Sequence, residues 1–235
     1  MKHVDFAKLI RFNTHTDSTT FTDEDILLLA NVYKNEIAKE ITLTNEGYFG
    51  TYAYRNLEAG VREYPLPDDL LSSIKRVEVK LDGTTWKPLS EMDLSLVDMA
   101  TDETSITTYF AGNDAKYCLF RGSLFIYSDS AIVDVTDGIK LWAILYPTAI
   151  PNLTDDRDLS VAKNTSSIGF PAQFHELLAR RVTIAYKDSQ DTPIALSGHE
   201  QNYAIDLQRA LVSIRNANFD RAIAATEKVD NGFDY

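Results

Sequence analysis

The chain has 235 residues, a formal net charge of −12, 44% apolar residues and 25% charged residues. That length suits one large domain or two small ones, and the composition is that of a folded soluble chain. The acidic balance argues against a protein that reads nucleic-acid sequence, which needs Lys and Arg to neutralise phosphates. It favours solubility, and it also suits a surface that must not stick to nucleic acid passing nearby.

No run approaches the ~18 apolar residues of a membrane span, and the N-terminus lacks the apolar core of a signal peptide. The expectation is no membrane association and folding in a reducing cytoplasm. The one cysteine, Cys118, lies in an apolar run and reads as a buried, inert thiol. The 12 Tyr and 11 Phe suit strands and interfaces.

Val4 to Phe12 reads as a short helix or docking arm, and Asn13 to Thr20 as a loop. Thr22 then caps a helix whose first turn carries Asp23, Glu24 and Asp25 where the dipole favours negative charge. Ile26, Ala30, Tyr33, Ile37 and Ile41 form its buried stripe, widened by Leu27, Leu29 and Val32. It ends near Thr42 to Asn45.

Tyr48 to Tyr54 reads as a strand, with Gly60 to Tyr64 as its antiparallel partner. Asp68 to Ser73 resembles a single helical turn. Ile74, Val77, Val79 and Leu81 lead into Asp82-Gly83, a hairpin signal, and the returning strand carries Trp86 and Leu89.

Ser90 to Ser105 is acidic and irregular, with a short helix expected at Leu94, Leu96, Val97 and Met99. Four further strands are expected at Ile106 to Phe110, Ala115 to Phe120, Leu124 to Tyr127 and Ile139 to Tyr146. Gly112-Asn113 and Arg121-Gly122-Ser123 form the turns between the first three. A strand about every ten residues predicts a small antiparallel sandwich or barrel.

Thr148 to Gly169 is a long polar connector, a length usually reserved for function or an interface. Pro171 opens a helix striped by Phe174, Leu177, Leu178, Val182 and Ala185, ending within Asp188 to Pro193. Ser197, with Glu200 three residues on, starts another, striped by Tyr203, Leu207, Ala210, Leu211 and Ile214. Beyond Asn216 the apolar residues thin to Phe219, Ile223 and Val229, and Lys228 to Tyr235 reads as a tail ordered by a partner.

The predicted fold is therefore α+β: a helical bundle built from both ends of the chain, with an inserted antiparallel β-sandwich or barrel-like module. The bundle takes residues 1–45 and 165–235, and the β-rich insertion with its connector takes 46–164.

No catalytic, metal or cofactor site emerges. His175-Glu176 begins like a zinc-protease helix, but the position four after His175 is Ala179, so His175 reads as a helix-surface or interface residue. Asp155, Asp156 and Asp158 lack the Gly and closing Glu of a calcium loop. Asp68-Asp69 and Glu91/Asp93 are acid pairs expected by chance among 35 acids. Arg180-Arg181, with Lys187 two turns on, reads either as ion pairing with the acidic surface or as contact with an acidic partner subunit.

Several phrases together resemble the head-to-tail adaptor proteins of tailed bacteriophages, the neck or tail-tubular connector family. They are the acid-capped Thr22–Ile41 helix and Tyr64-Pro65-Leu66-Pro67-Asp68-Asp69-Leu70-Leu71 leading into Ile74 to Val79. Asp82-Gly83-Thr84-Thr85-Trp86, Leu124-Phe125-Ile126-Tyr127 and Gly138-Ile139-Lys140-Leu141-Trp142 follow. Leu153-Thr154-Asp155-Asp156 and the Phe174-His175-Glu176-Leu177-Leu178 helix complete the set. The resemblance spans roughly residues 20 to 215.

That family implies a structural, non-enzymatic virion protein, assembled in the host cytoplasm. It implies a homo-oligomeric ring, commonly of twelve copies, beneath the portal protein at a capsid vertex. It implies β-structure reaching toward tail or nozzle proteins, and double-stranded DNA passing through the lumen without sequence-specific binding. A C-terminal segment would dock on the portal, here Asn216, Phe219, Ile223, Val229, Phe233 and Tyr235. Arg180, Arg181, Asp155 and Asp156 are the candidate subunit-interface residues. The rival readings are a tail-completion or decoration protein, and a carbohydrate-active tail enzyme using the acid pairs with Trp86 or Trp142.

Overall fold

The computed structural model describes residues 1–93, 103–161, 168–190 and 196–230, with backbone alone for 196–197 and 217–230. Within them the chain is α+β, with five α-helices and seven strands. It divides into two compact units, Met1–Phe49 with Tyr146–Tyr235, and Gly50–Leu145.

The first unit holds α1 (His3–Thr14), α2 (Asp23–Thr44), α4 (His175–Ser189) and α5 (Leu196–Asp230). The N-terminal segment is thus a helix and not a free arm. Phe6, Ala7 and Ile10 share one buried face, and His15 closes α1 in the left-handed conformation. Thr22 caps α2 by accepting the amide of Asp25 at 3.2 Å. Of the predicted stripe, Ile26, Ala30, Ile37 and Ile41 are buried, while Val32 stays exposed.

Pro171 precedes a short 3-10 turn, Ala172–Phe174, that runs directly into α4. Phe174, Leu178 and Val182 are buried, and α4 packs against α1, α2 and α5. α5 continues to Asp230, past the start of the predicted tail, while 231–235 lie outside the described residues.

The connector is packed rather than loose along 148–161, where Ile150, Leu153 and Leu159 are buried. It bridges to the N-terminus through the Lys2–Asp158 pair and the Leu159 amide, which donates to Met1 O at 3.0 Å. Gly169 allows this packing: a Cβ there would lie 1.9 Å from Ser160 O.

The second unit is one seven-stranded mixed sheet, curled as a half-barrel. Its strands are β1 (Gly50–Leu57), β2 (Glu63–Pro65), β3 (Leu70–Val79), β4 (Lys87–Glu91), β5 (Lys116–Phe120), β6 (Ser123–Tyr127) and β7 (Val135–Leu145). The order is β1-β7-β3-β4-β5-β6-β2. All neighbours are antiparallel except β4 and β5. A parallel pair needs a long crossover, and residues 92–115, carrying α3 (Glu103–Tyr109), supply it.

Three local readings change. β1 pairs with the distant β7, and β2 pairs with β6, so Tyr48 to Tyr54 and Gly60 to Tyr64 are not partners. Tyr48 and Phe49 form a turn ahead of β1, with Phe49 fully buried.

Asp68-Asp69 is only a turn, and Leu70 enters a strand opposite Leu145, so no helical turn fills 68–73. Ile106 to Phe110 is helical: Ile106 and Phe110 are four apart and both buried against Cys118 and Tyr127. There the 3.6-residue spacing overrides the β-propensity of the threonines. The expected helix at Leu94 to Met99 lies outside the described residues.

Val77, Val79, Leu89, Leu124, Ile126, Ile139 and Leu141 fill the core of this unit. Two left-handed residues, Arg121 (φ 50) and Gly122 (φ 77), turn β5 into β6.

Candidate functional site

Two surfaces stand out, one on each unit. On the helical unit, a cleft of about 650 Å³ lies among the end of α1, α4 and α5. Arg180 and Lys187 reach it from α4, Arg209 and His199 from α5, and His15 from the end of α1. Asp206 is its one lining carboxylate among the described residues, and it is shared between Arg180 and Arg209. Phe12, 77% exposed, and Ile205 add apolar surface. A basic cleft on a chain of net charge −12 is a strong local departure.

The adjacent arginines do different work. Arg180 pairs with Asp206 across α4 and α5. Arg181 lies 4.4 Å from the Tyr33 ring and 5.8 Å from that of Tyr203, with the Glu36 carboxylate 3.9 Å away, so it ties α4 to α2 and α5. Burial around this contact pushes the Tyr203 hydroxyl up to about 12.

Asp156 pairs with Lys2 at 2.8 Å, and Asp155 accepts the Arg157 amide at 3.0 Å. Among the described residues no hydrogen bond or ion pair joins these two aspartates to Arg180 or Arg181. Asn216, Phe219, Ile223 and Val229 fall on α5, while Phe233 and Tyr235 lie outside the described residues.

His175 is not a surface residue. It is 2% exposed, and its Nε2 lies 2.8 Å from the Phe170 carbonyl. A carbonyl can only accept, so Nε2 carries the proton and Nδ1 accepts from the Met1 amino group at 2.9 Å. Burial pushes the His175 pKa down. Asp158 faces the same amino group at 2.6 Å. Burial alone would raise its carboxyl, but hydrogen bonds from Met1 and Ser160 outweigh that and hold it well below the usual range. This cluster fastens the connector to α1 and α4.

On the strand unit, the outer face of β1, β7 and β3 carries aromatics threaded with cations. Tyr52 stands opposite Trp142, Tyr54 opposite Lys140, and Lys140 opposite Glu78. Lys140 Nζ lies 4.3 Å from the Trp142 ring centre and 4.7 Å from that of Tyr52. Lys80 Nζ lies 4.5 Å from Trp86, which stacks on Tyr54 at 6.0 Å. Arg76 pairs with Glu78 at 2.7 Å. Such a face offers flat aromatic area with fixed positive charge. Part of its signal was in the sequence, as the alternate Tyr52 and Tyr54 of β1, but their pairing with Trp142 and Lys140 was not.

The predicted inert thiol is buried: Cys118 is 2% exposed, burial raises its pKa, and Tyr127 beside it is pushed up to about 12. Among the described residues no group of three His, Cys, Asp or Glu is placed to hold a metal ion. No helix among them is long and apolar enough to cross a membrane.

The sequence matches the SU10 adaptor protein family over residues 5–227. The chain belongs to that family. The match runs through both units, including the insertion and α5. This is a bacteriophage adaptor family, in line with the resemblance carried by the sequence phrases. No curated protein matches the chain. For an adaptor, the basic cleft and the aromatic face are the surfaces to be explained.

Proposed function

We propose that the chain is a structural head-to-tail adaptor of a tailed phage. In this reading it forms a ring beneath the portal, joins the capsid vertex to the tail, and lets DNA pass through the lumen. The observation that carries the reading is the adaptor-family match across nearly the whole chain.

A discontinuous helical domain of residues 1–45 and 165–235 serves as the ring scaffold, and a β-rich domain of residues 46–164 with its connector reaches toward tail or nozzle proteins. Its aromatic outer face supports that assignment, since Tyr and Trp are enriched at protein interfaces. Arg180, Arg181, Asp155 and Asp156 lie at contacts between copies. The end of α5 and the residues after it, with Asn216, Phe219, Ile223, Val229, Phe233 and Tyr235, dock on the portal. The net charge of −12 supports a lumen that repels the duplex and keeps it mobile.

Native mass spectrometry and negative-stain imaging, with and without purified portal, test this. A ring of defined copy number is expected, commonly twelve. A strictly monomeric particle under both conditions overturns the reading. Truncation after Asn216 should abolish portal binding while leaving the far-ultraviolet dichroism of the rest of the chain intact.

A further inference from the structure

One outward face of α2 stays exposed among the described residues. Leu28 and Val32 are four residues apart, and they are 66% and 52% exposed. Glu24 precedes Leu28 by the same step, so the three share one helix face. Glu24 is exposed and, among the described residues, in no ion pair. The face is thus a short stripe with an acidic end and two exposed apolar side chains.

The basic cleft has the inverse character. Arg209 is exposed, and among the described residues its one ion pair is a 3.4 Å contact to Asp206, a carboxylate already taken by Arg180. Phe12 and Ile205 add apolar surface beside it.

We propose that the α2 stripe of one copy seats in the basic cleft of the next, with Glu24 meeting Arg209 and Leu28 and Val32 covering Phe12 and Ile205. This rests on the ring reading above and names the contact that makes the ring. The contact is heterologous, because the stripe and the cleft are different surfaces. Such contacts propagate head to tail and close when the rotation between copies allows. Opposite charge sets the register, and the apolar pairs supply most of the affinity.

Charge reversal tests it in the full chain. Sedimentation velocity is run on the wild type, Glu24→Lys, Arg209→Glu and an equal mixture of the two variants, alone and with purified portal. Each variant alone places like charges together at every contact, and its assembly should weaken about tenfold or more. In the mixture Lys at 24 meets Glu at 209, and the remaining contacts are wild type, so assembly should return. Phe12→Asp should weaken assembly and find no rescue in the mixture with Arg209→Glu, because every cleft in that mixture is altered. Circular dichroism checks folding, and both reversed residues are exposed.

If the wild type assembles and the single variants assemble equally well, this contact is overturned while the ring reading stands. If the single variants fail and the mixture does not recover, the cleft takes some other acidic partner and the proposal is overturned. A wild type that stays monomeric, with and without portal, overturns the ring reading and this contact with it.

Discussion

Among the described residues each unit buries one long cation, and the two are handled in opposite ways. In the strand unit, Arg62 is 9% exposed and meets Glu103 through two hydrogen bonds of 2.6 and 2.7 Å. It also donates to Ile126 O, Ser128 Oγ and Ser130 O, joining α3 to the end of β6. The hydrogen bonds and charge of Arg62 hold Glu103 below its ordinary range, against a smaller opposing effect of burial.

In the helical unit, Lys34 is 1% exposed, and among the described residues its ammonium donates only to the carbonyls of Pro147 and Thr148, each at 2.9 Å. Burial lowers its pKa to about 8. A carboxylate partner makes a buried cation a structural hub that holds at neutral pH. Carbonyl dipoles alone do not hold its proton, which is shed in mild alkali.

The largest expected effect is on the compensated pair. Arg62→Ala leaves Glu103 without its partner and several acceptors unfilled, so it should destabilise the strand unit by about 3–5 kcal/mol. Both tryptophans, Trp86 and Trp142, lie in this unit, so their fluorescence through a urea transition reads it alone. A loss under about 1 kcal/mol would show that the hub is dispensable.

Lys34 should act through pH. Its folded pKa of about 8 is below the ordinary 10.5, so the folded state sheds the proton first. The unfolded chain then binds more protons between those values, and stability of the helical unit should rise with pH across that window. At 1.36 kcal/mol per unit the gain is at most about 3 kcal/mol. Lys34→Met should remove this rise. Unfolding followed by circular dichroism from pH 7.5 to 10.5, variant against wild type, separates it from other titrations, and parallel curves would contradict the assignment.

His175 should have a smaller effect on the acid side. Its folded pKa is lowered by burial, so its contribution is present above the ordinary value of 6.5 and is lost as pH falls below it. The helical unit should weaken between pH 7 and 5, and His175→Gln should flatten that slope while lowering stability at pH 7. The smallest effect belongs to the third cation. Lys140 lies on an exposed aromatic face, so Lys140→Ala should change stability by no more than about 1 kcal/mol. A larger loss would make this face part of the fold and not a surface held for a partner.

The candidate surfaces were legible only in part. Arg180-Arg181 and Asp155-Asp156 stood out as charge doublets, but their internal partners did not. Nothing around Lys34 distinguishes it from a solvated helix lysine, because its acceptors are more than a hundred residues away in sequence. His175 carried the same ambiguity: one helix position looks the same whether its face meets solvent or a connector segment.

Local chemistry wrote much of the architecture. The cap at Thr22, the stripes of α2 and α4, the Asp82-Gly83 hairpin, most of β5 and β6, and residues 139–145 of β7 all follow from neighbours within a few residues. Those are short-range preferences, and they survive in any context that offers a core. Strand partners are long-range choices. β1 reaches β7, β4 runs parallel to β5, and residues 106–110 become a helix because Ile106 and Phe110 find Cys118 and Tyr127. Burial free energy gathered across the whole unit exceeds the tenths of a kcal/mol carried by propensity, so those pairings were decided in three dimensions.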